Sequence, residues 1–234
     1  MIQPDLLRRY TQVSAEGVIV KLDDRELLTP DRRSLDLPSA ALAEAIAQEW
    51  QAQGEKIGDK INPAAMPMTQ LAFTAIDRVR DRRDLIIDEL LNYLETELIC
   101  HYGDDPGLIA HQKKHWQALH DWLQTDFGVT LPVTVTIQPL QAVQDHAWAV
   151  GFMQALDPFR LTALQQAVAV STSLVIGMAL TAGKITAGAA LDAAEVEADY
   201  QAEKWGRDPE FVTRRMGQLT DFEAVEKFLA LLQS

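Results

Sequence analysis

Residues 161–183, LTALQQAVAVSTSLVIGMALTAG, contain no charged side chain, and this run limits what the chain can fold into. A membrane-spanning helix needs about 20 mostly apolar residues, so the run is long enough. Glutamine, serine and threonine dilute its apolarity, however, and no cluster of basic residues flanks it. A helix that is buried on nearly every side has the same character. We therefore predict a buried central helix, with a membrane span as the alternative.

The N-terminal part of the chain has a different pattern. Residues 10–37 alternate apolar and polar side chains around Val18 and Val20, and prolines punctuate the stretch. This pattern predicts a small hairpin or meander. Ser39 then stands at a favourable N-cap position, before a helical pattern that runs to Trp50.

Glycines and prolines between residues 54 and 67 mark the end of this first region. From residue 69 onward apolar side chains recur every three or four positions, as in amphipathic helices. We predict an α+β fold, with a small N-terminal β-rich α+β domain over residues 1–62 and a larger, mainly α-helical domain over residues 63–234. A stretch near residues 133–138 is rich in β-branched residues and is a candidate strand of the N-terminal sheet.

The net charge restricts the classes of partner. It is −13 at pH 7, with a pI of about 4.7, so general electrostatics do not favour nucleic acid or anionic lipid. A basic protein surface would be attracted, although an acidic surface also simply keeps a protein in solution. The single cysteine, Cys100, allows no internal disulfide and suits a reducing compartment. Because the N-terminus lacks the apolar stretch of a secretory signal, we expect a cytoplasmic protein or an already processed form.

Few residues point to catalysis. The sequence contains no glycine-rich phosphate loop and no nucleophile elbow. His111 and His115 are four residues apart, a spacing that metal ligands use, and with nearby carboxylates they define the alternative of a metal-dependent enzyme. The intervening lysines would repel a cation. Cys100 follows an apolar helical pattern, which favours a buried side chain over a nucleophile. We therefore predict no catalytic, cofactor-binding or metal-binding residue.

An acidic segment lies in the helix predicted over residues 187–205. On a helical projection four carboxylates fall on one face: Asp192, Glu195, Asp199 and Glu203. Glu197 lies off this stripe, at the edge of the apolar side, on which Leu191 and Trp205 fall. Like charges four residues apart disfavour a helix. The stripe therefore either faces a basic partner or is a plain solvated face.

Several blocks of the chain resemble one protein family. They are VKLDDRELLTP with LDLPSAALAEAIAQEWQAQGEKI, then MPMTQLAFTAIDRV, then LNYLETELICHY with PGLIAHQKKHWQALHDWL, and VSTSLVIGMALTAGKITAGAALDAAEVEADYQAEKWGRDPE. In this order and spacing they are similar to the assembly chaperones for the α subunit of the ATP synthase catalytic head, the ATP-twelve family. The resemblance covers nearly the whole chain.

The resemblance implies a fold of a small α+β domain and a larger all-α domain. It also implies a role without enzymatic activity or cofactor, in which the chaperone holds the unassembled α subunit before the β subunit arrives. In the family an acidic residue in the helix before a Tyr-Gln pair is associated with function. Glu197 matches it, and with its neighbours Glu195 and Asp199 it is the predicted partner-binding group. The chain departs from the family at Ala198, where many relatives carry another carboxylate.

Overall fold

The N-terminal strands form one antiparallel sheet in the order β1-β2-β3. In the computed structural model, which describes residues 6–135 and 146–233, the strands are β1 (Val13–Glu16), β2 (Ile19–Leu22) and β3 (Arg25–Glu26). Gly17 turns the chain between β1 and β2 at φ 62°, a left-handed conformation that glycine adopts without steric cost. In the next turn Asp23 accepts hydrogen bonds from the N–H groups of Thr11 and Gln12. The predicted meander is confirmed.

Helix α1 spans Ala40–Gln51 and packs against β1 and β2. The hydroxyl of Ser39 accepts a hydrogen bond from the N–H of Leu42 at 3.1 Å, which confirms the predicted N-cap. The buried side chains of α1, among them Leu42 and Ile46, cover one face of the sheet. The small sheet is thereby stabilised by the helix that follows it.

Helix α2, Pro67–Thr74, continues into a π-helical turn over Ala75–Val79. Its first N–H groups, those of Met68 and Thr69, each donate to the carboxylate of Glu49 in α1 at 2.8 Å. A carboxylate from another helix therefore supplies the N-terminal cap that the chain before α2 lacks.

The described residues form two compact units. The first lies within Met1–Arg83 and Lys227–Ser234, and the second within Asp84–Glu226. Residues 63–83, which the sequence assigns to the larger domain, group with the first unit in this division. The bonds from α2 to Glu49 are a physical reason for this grouping.

The chain from Arg83 onward is mainly helical. Its described segments are α3 (Arg83–Leu91), two short 3-10 turns (Asn92–Thr96 and Leu98–Cys100), α4 (Pro106–Phe127), α5 (Ala147–Ala155), α6 (Pro158–Ser171), α7 (Leu174–Thr181), α8 (Ala187–Ala194), α9 (Val196–Trp205) and α10 (Pro209–Leu231). Together with the N-terminal sheet they confirm the predicted α+β fold.

The uncharged run is largely buried, but it is not one helix. Helix α6 ends at Ser171, its C-cap Thr172 has a left-handed conformation (φ 55°), and α7 begins after Ser173. The expectation of a single central helix was wrong, because Ser173 and a distant carboxylate, Glu97, cap a new helix start inside the core. The hydroxyl of Ser173 accepts from the N–H of Ile176 at 3.0 Å. Among the described residues no helix combines the length and apolarity needed to cross a membrane.

Glu97 is enclosed by the second unit and is only 1% exposed. Its carboxylate accepts hydrogen bonds from the hydroxyl of Ser173 and from the N–H groups of Leu174 (3.0 Å) and Val175 (3.3 Å). Burial raises the pKa of Glu97 to about 7. The N-terminus of α7 can therefore lie inside the core, because its unpaired N–H groups have acceptors.

Helices α6 and α7 approach each other closely at Gly177. A Cβ atom at this position would lie 2.6 Å from Cγ2 of Val168 and 3.2 Å from its backbone N. The absence of a side chain therefore permits the helix contact at this point.

The later β-branched stretch pairs with a different segment from the one predicted. Thr134 forms an isolated parallel bridge with His101, in which its N–H donates to the carbonyl of Cys100 at 2.8 Å. The N–H of Tyr102 donates to the carbonyl of Thr134 at 2.7 Å. The described part of the stretch thus does not extend the N-terminal sheet, because the turn before α4 supplies its backbone partners. Residues 136–138 of the predicted strand lie outside the described residues.

Candidate functional site

The acidic segment folds into two helices joined at Glu195. Helix α8 ends at Ala194 and α9 starts at Val196, while Glu195 itself has φ −105° and ψ 14°. The continuous helix expected over residues 187–205 is therefore interrupted, and a single projection does not describe its faces. We call this region, residues 191–200, the α8–α9 corner.

Glu195 points toward α10 and not into solvent. Its carboxylate accepts hydrogen bonds from Nη1 of Arg214 at 2.6 Å and from Nε2 of Gln218 at 2.7 Å. The side chain is 12% exposed. Both oxygens of this predicted partner-binding residue are thus engaged within the chain.

Asp199 shares an arginine with Asp192. Nη2 of Arg215 lies 2.7 Å from Oδ1 of Asp192 and 2.9 Å from Oδ2 of Asp199. Burial raises the pKa of Asp199, and the nearby Arg215 opposes that rise. For three of the four carboxylates on the predicted stripe, the basic partner is therefore an arginine of the chain's own α10.

Glu197 is the exposed member of the predicted group. Its Oε1 accepts a hydrogen bond from Nε2 of Gln112 in α4 at 2.9 Å, and Gln112 is completely buried. Glu197 also lies in the first turn of α9, where the helix dipole favours a negative charge. Of the three predicted residues, Glu197 alone combines exposure with a carboxylate held in place by a buried side chain.

Helix α9 is attached to the start of α4 by polar contacts. The hydroxyl of Tyr200 donates to Oδ1 of Asp105, and Nζ of Lys204 lies 3.3 Å from its Oδ2. Asp105 also accepts from the N–H of Leu108 at 2.9 Å as the N-cap of α4. The hydrogen bond from Tyr200, together with that N–H, lowers the pKa of Asp105 to about 2. Only Val196 of α9 is buried, so these polar contacts supplement a small apolar contact.

An apolar groove lies beside the corner, between α8 and α10. Its cavity volume is about 310 Å³, and its apolar lining is Leu191, Phe211, Val212, Met216 and Leu219. Arg215, which binds Asp199, also lines it. Trp205 is 78% exposed, although the projection placed it on the apolar side with Leu191. The interruption at Glu195 changes the direction of α9 residues relative to those of α8, which explains this error.

The histidine pair is not a metal site among the residues that the structure describes. No three histidine, cysteine, aspartate or glutamate side chains come together there as potential ligands. His111 packs against the ring of Tyr200 at 5.0 Å, and its Nε2 lies 3.8 Å from Glu203. Burial lowers the pKa of His115. The alternative of a metal-dependent enzyme through this pair therefore lacks a ligand set in the described part of the chain.

Cys100 is buried, as the sequence predicted. Burial, reinforced by the nearby carboxyl of Glu97, raises the pKa of its thiol to about 12. The thiol is therefore protonated at neutral pH and is a poor nucleophile.

Sequence reasoning missed the two residues that organise the site, Gln112 and Asp105. For Asp105 a signal existed: an aspartate directly before Pro106 is a typical helix start, with proline at N1. For Gln112 no signal existed, because a buried glutamine in a helix gives no indication of its partner across the fold.

Comparison with known proteins gives consistent results. Residues 8–124 match the family described as ATP12 chaperone protein. The crystal structure of Atp12 from Paracoccus denitrificans is 34% identical, with a TM-score of 0.84 over 97% of this chain and 98% of that one. The Atu1473 protein of Agrobacterium tumefaciens is 29% identical, with a TM-score of 0.86 over 97% of this chain and 86% of that one. The mitochondrial protein atp12 of Schizosaccharomyces pombe is 23% identical over 209 residues, which cover 84% of this chain and 71% of that protein.

Proposed function

Because this chain belongs to the ATP12 chaperone family, we propose that it is an assembly chaperone of ATP synthase that binds the unassembled α subunit and prevents its aggregation until the β subunit arrives. The action is binding in the cytoplasm, without a catalytic step or a cofactor. The observation that carries the proposal is the similarity to Atp12 of Paracoccus denitrificans, which extends over 97% of the chain.

The surface of the second unit is compatible with this role. An unassembled subunit exposes apolar surface that is later buried against its neighbour, and a chaperone must cover such surface. Trp205 (78% exposed) and Met216 (65% exposed) are large apolar side chains available for that contact. The flexible thioether of methionine adapts to irregular surfaces.

Glu197 is the direct electrostatic contact in this proposal. It is exposed, and a carboxylate held in one place is suited to bind an arginine or lysine of the client. Glu195 and Asp199 complete the partner-binding group, but their carboxylates reach a client only when Arg214 and Arg215 are displaced.

Co-expression with the isolated α subunit tests the function. We expect soluble α subunit to increase and to co-purify with the tagged chain, whereas the β subunit expressed alone should gain nothing. Unchanged α-subunit solubility together with an absence of complex would refute the proposal.

Two substitutions at Glu197 test the proposed contact. Glu197→Gln keeps an acceptor for Gln112 and removes only the charge, and Glu197→Lys reverses it. A reversed charge at an interface costs several kcal/mol, about 2–5, while loss of the acceptor for the buried Gln112 amide in Glu197→Lys lowers the free energy of unfolding by about 1 kcal/mol. We expect recovery of the α subunit to fall in the order wild type, Glu197→Gln, Glu197→Lys. Glu223→Lys, an exposed charge reversal on α10, is the matched control; an equal loss there would remove the special role of Glu197.

A further inference from the structure

We propose that Gln112 is a positioning residue, which holds the Glu197 carboxylate in one orientation and directs its second oxygen toward a basic side chain of the client. This inference rests on the proposed function, because it assumes that the client contacts Glu197.

The side-chain amide of Gln112 has a partner for each of its polar atoms. Its Oε1 accepts from the N–H of Gly103 at 2.9 Å. Its Nε2 donates to Oε1 of Glu197 at 2.9 Å and to the carbonyl of His101 at 3.4 Å. Because a backbone N–H only donates and a carboxylate only accepts, these partners permit one orientation of the amide. The bond to Glu197 is therefore determined by the surroundings of Gln112.

The segment that fixes the amide is itself constrained. A Cβ atom at Gly103 would lie 2.5 Å from Cδ2 of Leu108, so a side chain at this position would require Leu108 to shift. His101, two residues earlier, is bridged to Thr134. The backbone groups that bind Gln112 thus belong to a segment that is paired on its other side.

A second side chain on the same face of α4 forms a hydrogen bond with the α8–α9 corner. Trp116, one turn after Gln112, is fully buried, and its Nε1 donates to the carbonyl of Ala193 at 2.8 Å. Trp116 therefore fixes the end of α8, while Gln112 fixes the first turn of α9. Of these two α4 side chains, Gln112 is the one that donates a hydrogen bond to a residue of the proposed client-binding group.

One carboxylate oxygen of Glu197 is available to bind a client. Among the described residues, Oε1 of Glu197 is engaged by Gln112, and Oε2 accepts no hydrogen bond. An exposed glutamate normally loses rotamer freedom when it binds a partner, and a carboxylate that is already held loses less. Loss of the Gln112 amide should therefore weaken client binding by about 2- to 10-fold.

Competition for a limiting amount of α subunit measures this effect. Wild type and Gln112→Met carry different tags and are co-expressed with the α subunit, and the ratio of tags in the purified complex gives the relative affinity. Gln112→Met keeps the approximate volume and removes the amide. Gln117→Met is the matched control, since it makes the same change at an exposed position of α4, where the amide donates to Asp121 and not to Glu197. We expect Gln112→Met to be under-represented by about 2- to 10-fold and Gln117→Met to be nearly equal to wild type.

The same pair of variants in a Glu197→Ala background separates positioning from general structure. If Gln112 acts through Glu197, Gln112→Met causes no further loss in that background. Equal competition by Gln112→Met, or a loss that persists without the Glu197 carboxylate, would overturn the inference. If Gln112→Met does not fold, Gln112→Asn, whose amide is one methylene too short to reach Glu197, takes its place. Failure of the wild type to recover any α subunit would instead refute the proposed function.

Discussion

The buried carboxyl of Glu97 makes the stability of the second unit depend on pH in a defined direction. Burial raises its pKa to about 7, whereas the same group in the unfolded chain titrates near 4.5. Between these values the folded protein keeps a proton that the unfolded chain has lost. The contribution of Glu97 to the free energy of unfolding therefore has its full value below pH 4.5 and is lost as the pH rises through 7.

The magnitude follows from the two pKa values. Each pH unit between them corresponds to about 1.4 kcal/mol, so the full titration changes the free energy of unfolding by roughly 3 kcal/mol. Between pH 5.5 and 8.5, away from the pI of about 4.7, the change is about 2 kcal/mol. A Glu97→Gln variant has no proton to lose. Its amide oxygen can accept from the N–H groups of Leu174 and Val175, and its NH₂ group can donate to Ser173.

Urea unfolding at several pH values from 5.5 to 8.5 provides the assay. Other groups titrate in this range, so the quantity of interest is the difference between wild type and Glu97→Gln at each pH. We expect the variant to gain stability relative to wild type by about 2 kcal/mol across the range. Glu95→Gln, at an exposed position two residues earlier, should follow wild type at every pH. A wild-type-minus-variant difference that stays constant with pH would show that Glu97 does not titrate in the folded protein as inferred.

Two further predictions concern the packing of the second unit. Gly177→Ala should lower the free energy of unfolding by about 1–3 kcal/mol, because the new Cβ atom would lie 2.6 Å from a side-chain atom of Val168. Thermal unfolding measures this change. Gly188→Ala is the control that should not lose stability, because its Cβ atom would meet nothing within 4 Å. Arg215→Met should lower the free energy of unfolding by about 1–2 kcal/mol at pH 7, because Asp199 loses its ion-pair partner. The loss should be smaller at pH 5, where the carboxyl of Asp199 is more readily protonated. An equal loss at both pH values would contradict this reasoning.

The acidic stripe shows why charge patterns are difficult to assign from sequence. Its carboxylates lie together on a helical projection, which indicates either a solvated face or a basic partner. The structure supplies a third outcome for Asp192, Glu195 and Asp199, because two arginines of α10 form ion pairs with them within the chain. Glu197, which lies off the stripe, remains as the exposed carboxylate. Its distinction depends on Gln112, which is 85 residues away in the sequence.

Local chemistry in the sequence determined the kinds of element and their burial. Alternating apolar residues predicted the N-terminal sheet, Ser39 predicted the start of α1, and the uncharged run predicted a buried core. These features were predictable because each of them is determined by residues that are neighbours in the sequence. The tertiary structure alone decided that this run breaks into α6 and α7. The break places unpaired N–H groups inside the protein, and it is stable only because the chain folds Glu97, some 76 residues from Ser173, against them. A single sequence does not indicate which distant side chain will supply such an acceptor.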